Sequence, residues 1–264
     1  SNTGNGRDVL AGGEPQVELR KRDRMKATAR RYVRVPLAVR TSDLPKRAAS
    51  AAVMLAVAGG ALWAGGIALT LFIVVVAAAT YAELVRLVVR ATVRPGWRIA
   101  GLILGAIYIG FAAYSLVIMP RFYLYLVIGS VIFTDTFAYF TGRTIGGPTI
   151  APRISPSKTW AGLGGGMAGA ALFGVILLQA IVPMSDSWHL GIDAYPWSSL
   201  AAIAIGAIAA IAAQSGDFLE SWLKRKAHMK DSSNLIPGHG GVFDRTDGML
   251  PVAVVVGLLV TGIA

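Results

Sequence analysis

Five stretches of this sequence, residues 48–82, 99–120, 159–185, 194–216 and 248–264, carry no charged side chain. Nothing constrains the fold more, because the hydrocarbon core of a bilayer is crossed by about 20 apolar residues in a helix and tolerates no unpaired backbone polar groups. The first stretch is 35 residues long, which as a single helix would extend about 52 Å, too far for one crossing. The pairs Gly59-Gly60 and Gly65-Gly66 offer a break, and two helices are expected, over 48–64 and 67–92, the second running past Glu83 into a basic end. Further spans are expected over 99–119, 122–142, 160–183, 198–223 and 248–264. The predicted fold is therefore all-α, a polytopic integral membrane helical bundle of about seven transmembrane helices, with seven to nine compatible with the pattern. Composition agrees, with 55% hydrophobic and 15% charged residues, against about a quarter charged in soluble domains.

The net charge of +11 is a signature that nucleic-acid-binding proteins share, so its distribution matters. Residues 1–47 hold 12 Lys and Arg against 5 Asp and Glu, and the rest of the chain holds 13 against 9. Basic residues near membrane spans mark the cytoplasmic side. With seven spans and a cytoplasmic N-terminus, 24 of the 25 basic residues fall on that side and only Arg121 falls outside. The opposite loop, 184–197, has no Lys or Arg and carries Trp188, Tyr195 and Trp197, as expected of an interfacial aromatic belt. The charge is thus accounted for by membrane lipids and topology, and no nucleic-acid partner is expected. Three regions follow: a basic, partly disordered cytoplasmic segment over 1–47, N-terminal transmembrane helices over 48–134, and a C-terminal transmembrane region over 135–264. The first apolar run starts too late and extends too far for a signal-peptide core.

The chain has no cysteine and only three histidines, His189, His228 and His239. Thiol nucleophiles, disulfides, Cys-ligated zinc and iron–sulfur clusters are excluded, leaving carboxylates, Lys, Arg, hydroxyls and a hard metal to carry chemistry. Ionisable groups at the membrane edge are costly and mark function by default. They gather in two regions on the expected cytoplasmic side, 135–162 and 214–247. At the end of the sixth span, Asp217, Glu220, Ser221 and Lys224 fall at i, i+3, i+4 and i+7, one face of a helix. An ordinary amphipathic helix exit would give the same stripe, although here it continues an almost purely apolar helix. Next comes Ile236-Pro237-Gly238-His239-Gly240-Gly241, then Asp244 and Asp247. Glycines at this density suit a loop that cradles phosphate, or merely a turn into a last helix. The aspartates suit Mg²⁺, which takes one or two carboxylates and completes its shell with water and phosphate oxygens.

The complete string is far more specific than its parts. Ser221, Leu223, Lys224, Arg225, Lys230, Asp231, Ser233, Ile236, Pro237, His239, Gly240, Gly241, Val242, Asp244, Arg245, Thr246 and Asp247 together resemble the signature of the phosphatidate cytidylyltransferases, or CDP-diacylglycerol synthases. A second resemblance covers Asp135-Thr136-Phe137-Ala138-Tyr139, Gly142-Arg143, Gly146 and Ser155-Pro156-Ser157-Lys158-Thr159-Trp160-Ala161-Gly162. There the family usually carries Lys where Ser157 stands and Glu where Ala161 stands. Residues 1–134 are similar in hydropathy alone.

The resemblance implies transfer of CMP from CTP to phosphatidic acid, giving CDP-diacylglycerol and pyrophosphate, by an enzyme of the cell's inner or plasma membrane with its site on the cytoplasmic side. It implies a metal-dependent reaction with Mg²⁺, a second cation remaining open, and a homodimer. Asp217 and Asp244 are the first expected metal ligands, with Glu220, Asp231 and Asp247 behind them. Asp217, Lys224, Arg225, Asp244, Arg245 and Asp247 are the expected catalytic set. Lys224, Arg225, Lys230 and Arg245 would neutralise phosphates, the arginines bidentately, although topogenic charge alone would also place them on this side. Ser155, Lys158 and Thr159 would hold phosphate oxygens near a helix N-terminus, where Ser155-Pro156 would equally suit a plain cap. Asp135, Ser221, His239, Gly240 and Gly241 complete the expected substrate contacts. Two rivals remain open: another CTP-dependent lipid cytidylyltransferase or lipid kinase, and an ion-coupled transporter lined by Asp135, Asp217 and Glu220. Against the transporter, the charges cluster on one side without a midplane pair or an internal repeat.

Overall fold

The computed structural model describes residues 44–181 and 198–263. Most of the basic segment, the aromatic-bearing loop 184–197 and His189 lie outside the described residues. The chain divides into two units, Ser1–Ala49 and Ser50–Ala264. Of the first, only the opening residues of helix α1 (Leu44–Ala64) are described. The second continues through α2 (Gly66–Ala91), α3 (Pro95–Ile118), α4 (Arg121–Thr144), β1 (Thr149–Ala151), β2 (Ser155–Thr159), α5 (Trp160–Ile181), α6 (Ser198–Lys226), the single turn α7 (Phe243–Thr246) and α8 (Met249–Ile263). Six of these helices are long and apolar enough to cross a membrane, and α8 is a shorter apolar helix. The polytopic all-α reading therefore holds, with one addition: a short antiparallel hairpin pairs β1 with β2.

The long apolar run breaks at the second of its glycine pairs. Gly65 and Gly66 take φ of +62° and +50°, which residues with a Cβ rarely adopt, while Gly59 and Gly60 remain inside α1. Arg121, at the start of α4, reaches the break, its Nη2 2.6 Å from where a Cβ on Gly65 would stand. The α1–α2 and α3–α4 connections thus share one end of the bundle, as alternating spans require. At the other end of α2, Arg98 donates to Val89 O at 2.9 Å and Thr92 O at 2.6 Å. One of the expected topogenic arginines is thereby also a helix C-cap.

Two modes of packing hold the bundle. Leu87, Val127, Ala112, Val252, Ala253 and Val256 form the centre of the main apolar core, which draws on α2, α3, α4 and α8. Along the closely packed α4–α5 seam, small residues replace bulk. A Cβ at Gly162 would meet Ala138 O at 3.1 Å, one at Gly169 would meet Phe133 O at 2.8 Å, and one at Gly165 would collide with Thr141. Of the glycines in this run, Gly164 alone faces open space. Large apolar side chains such as Trp63, Ile67, Leu104 and Ile107 are exposed, as befits helices that meet lipid.

Candidate active site

The polar residues converge at one end of the bundle, where α4, the hairpin, α5, α6 and the loop before α7 meet. Thr159 ends β2 and its Oγ1 accepts a 3.0 Å hydrogen bond from Gly162 N, making it the N-cap of α5. The cap is therefore Thr159, and Ser155-Pro156, the pair considered for that role, lies in the strand. This handover directs Lys158 across to α6, where its Nζ forms an ion pair with Asp217 Oδ2. Lys158 Nζ also stands 5.3 Å from the centre of the Phe218 ring.

About two turns further along α6, Lys224 Nζ donates to Glu220 Oε2 at 2.7 Å and to Asp244 Oδ1 at 2.6 Å. The i to i+4 spacing alone accounts for the first contact. The second depends on the glycines of the loop. Gly240 has φ of +82°, and a Cβ there would lie 2.8 Å from Asp244 Oδ2. That oxygen accepts from Gly241 N at 2.8 Å, Ser232 N at 2.9 Å and Ser232 Oγ at 2.8 Å. The Gly-rich loop thus wraps the carboxylate of Asp244, and the N–H groups expected to meet phosphate are directed at carboxylates.

Burial opposes charge on Asp244, but its neighbours Glu220 and Lys224 and the N–H groups of Gly241 and Ser232 outweigh burial and hold it below the usual carboxylate range. Asp247 is raised, because burial outweighs the opposing effects of Gly248 N, Glu220, Lys224 and Lys158. Burial also lowers Lys158, against the attraction of Asp135, Asp247 and Glu220. Backbone packing fixes Asp247 in turn: Gly216 lies so close to Asp247 O that any Cβ there would collide with it.

Two cavities adjoin at this end, each of about 360 Å³. Both are lined by Asp135, Lys158 and Asp217. The first extends along Tyr139, Gly142, Arg143, Ser157, Thr159 and Gln214. The second is lined further by Glu220, Ser221, Lys224, Asp231, Asp244, Arg245 and Asp247. Other expected residues lie outside both linings. Arg225 Nε reaches Ile154 O of the hairpin at 3.4 Å, and Lys230 is exposed. Ser155 is buried in β2. His239 Nδ1 pairs with Ser50 Oγ at 2.8 Å, while its carbonyl accepts from Arg245 Nε at 3.1 Å and Nη2 at 2.7 Å.

Among the described residues, no three His, Asp or Glu side chains come together closely enough to hold a metal ion by themselves. Glu220 Oε1 is nevertheless buried without a hydrogen-bond partner, beside Asp244 and Asp247. An all-oxygen donor set that leaves room for phosphate and water fits a hard cation of the Mg²⁺ type.

Two residues of this end escape a reading of the sequence. Glu83, on α2, is 6% exposed and accepts from Ser232 Oγ at 2.8 Å, Ser233 Oγ at 2.6 Å, Val242 N at 3.0 Å and Phe243 N at 2.8 Å. Ser232, fully buried, bridges Glu83 and Asp244. The available signal for Glu83 was its isolation as the first acid after a 35-residue uncharged run, since an acid in an apolar helix requires a partner.

A bundle of membrane-length helices whose acids and lysines line two adjoining cavities at one end defines an integral membrane protein with a charged site at one end of its bundle. The profile of the cytidylyltransferase family matches residues 89–262, and the chain belongs to that family. It is 40% identical over 167 residues to a phosphatidate cytidylyltransferase of Brucella abortus biovar 1 (strain 9-941), covering 60% of this chain and 54% of the relative. To the phosphatidate cytidylyltransferases of Rickettsia felis and Rickettsia prowazekii it is 43% identical over 120 residues, 45% of this chain and 50% of each relative. The chain spans about half the length of the curated relatives it matches.

Proposed function

We propose that the protein is a phosphatidate cytidylyltransferase, transferring CMP from CTP to phosphatidic acid. The observation that carries this reading is the pair of joined cavities sharing Asp135, Lys158 and Asp217. Two phosphate-bearing substrates must meet there with their charges neutralised and their reacting atoms aligned. The first cavity reaches Tyr139, which is 58% exposed on the outer face of α4, and Arg143, whose Nη1 donates to Tyr139 Oη at 3.0 Å. A lipid headgroup arriving from the leaflet suits that side, and CTP suits the second cavity, where Lys158, Lys224 and Arg245 would meet its phosphates and the carboxylates would meet its cation. Relatives bearing the name phosphatidate cytidylyltransferase support the same reading.

In the reaction, a phosphate oxygen of phosphatidate attacks the α-phosphorus of CTP and pyrophosphate leaves. Phosphatidate is already anionic at neutral pH, so no general base is required. Lys158 and Lys224 exchange part of their attraction for carboxylates against the incoming phosphates, which keeps both ammonium groups preorganised without substrate. Arg245, at the rim of the second cavity, adds a planar donor for phosphate oxygens. Asp217 and Asp244 are first among the residues proposed to hold Mg²⁺, one or two carboxylates together with phosphate and water, and Glu220, Asp247 and Asp231 are the alternatives around them. When bound, the ion would neutralise phosphate charge and stabilise the leaving pyrophosphate. We further place the site on the cytoplasmic side of the cell membrane, where Arg86, Arg90, Arg143 and the basic end of α6 would lie.

The test is release of pyrophosphate by purified protein in lipid nanodiscs. Release that requires CTP, phosphatidate and Mg²⁺ together is expected. Release without phosphatidate, or none with all three present, contradicts the reading.

A further inference from the structure

We propose that Glu83 is a positioning residue of this site: its carboxylate holds the loop 231–243 and the start of α7 so that Asp244 is presented to Lys224 and the second cavity. The proposal rests on reading this end of the bundle as the reacting site. Glu83 stands outside the family match over 89–262 and lines neither cavity, so its influence must pass through other residues.

The geometry makes that route short. Each carboxylate oxygen of Glu83 accepts two hydrogen bonds, Oε1 from Ser233 Oγ and Val242 N, and Oε2 from Ser232 Oγ and Phe243 N. A carboxylate has about four acceptor sites, and all are used on this one loop. Val242 and Phe243 immediately precede Asp244, so anchoring their N–H groups sets where its side chain begins. Ser232 stands 2.8 Å from both carboxylates and has one hydroxyl proton, which serves one of them at a time. Gly241 completes the fit, because a Cβ there would collide with Ser232 Oγ and Glu83 Oε2. On α2 the same face adds Thr80, fully buried, whose Oγ1 lies 3.2 Å from Thr246 Oγ1. Thr80 and Glu83 thus grip α7 on either side of Asp244.

A neutral amide cannot substitute. In Glu83→Gln the shape is retained, but one acceptor oxygen becomes an NH₂ that faces donor groups of the loop. The variant should therefore release the loop while leaving the apolar core intact.

Hydrogen exchange by mass spectrometry and a kinetic cycle together test the proposal. In Glu83→Gln, peptides covering 231–243 should lose protection while those from α3 and α5 keep theirs. Cytidylyl transfer should fall about 50-fold in kcat/KM, yet less than about 3-fold when Asp244→Asn is already present, because the two act through one group. Unchanged protection overturns the proposal, as does a loss that adds in full to that of Asp244→Asn. Should Glu83→Gln not accumulate as folded protein, Ser233→Ala removes one of the four donors and should speed exchange in the same segment; unaltered exchange there counts against the proposal. Were the wild-type protein to transfer no cytidylyl group, the reading of the site would fail while the exchange measurement still decided the role of Glu83.

Discussion

Lys158 is held by one carboxylate and Lys224 by two, and acids and lysines intermingle through the site. Lys158 pairs with Asp217, and Lys224 with Glu220 and Asp244. Removing one member of such a partly buried set leaves its partner uncompensated. Asp217→Asn is accordingly expected to lower turnover by at least about 100-fold while helical circular dichroism is unaltered. Near-normal turnover would remove Asp217 from the reacting groups. Gly241→Ala should destabilise the protein by about 1–3 kcal/mol, because the added methyl has no space beside Ser232 and Glu83; a thermal melt in detergent measures it. Residue spacing made the common face of Asp217, Glu220 and Lys224 legible in the sequence. The choice of partners was not legible, since Lys158 arrives from 59 positions away and Asp244 from 20. Such contacts depend on how the loop folds, which periodicity does not encode.

At the level of elements, charge-free runs located the spans to within a few residues, because a helix crossing lipid must bury its backbone polar groups in itself. The hairpin was invisible to the same reasoning: its strands are three and five residues long, too short for an alternating pattern to register. Its consequence is large, since it carries Lys158 into the site and delivers Thr159 as the cap of α5. The family's usual Glu at Ala161 can be judged here. Ala161 lines neither cavity and sits two residues after the cap, where a carboxylate favours the helix dipole by about 0.3–1 kcal/mol. Ala161→Glu should therefore raise thermal stability slightly and change turnover less than about 3-fold. A large rise in turnover would show that the missing carboxylate acts on substrate. On the α4–α5 seam, Gly165→Val should cost about 1–3 kcal/mol or more, because Thr141 occupies the space, and a lower melting temperature would register it.

For the molecule as a whole, the bundle gathers its chemistry at one end. Glu83, Asp135, the hairpin, the last turns of α6 and the turn α7 with the loop before it come from every quarter of the described chain, yet meet within one polar layer. Hydropathy and charge asymmetry made that one-sidedness legible, and the string from Ser221 to Asp247 made the family legible. The part played by α2 was not, because one acid among apolar neighbours does not reveal which loop will cover it. On the proposed function, this polar layer transfers a cytidylyl group to a lipid phosphate. The decisive experiment supplies purified protein and phosphatidate with CTP labelled at either its α- or its γ-phosphorus and measures label in the extracted lipid. Label entering the lipid from the α position alone is the predicted result, and label entering from the γ position, or from neither, would contradict it.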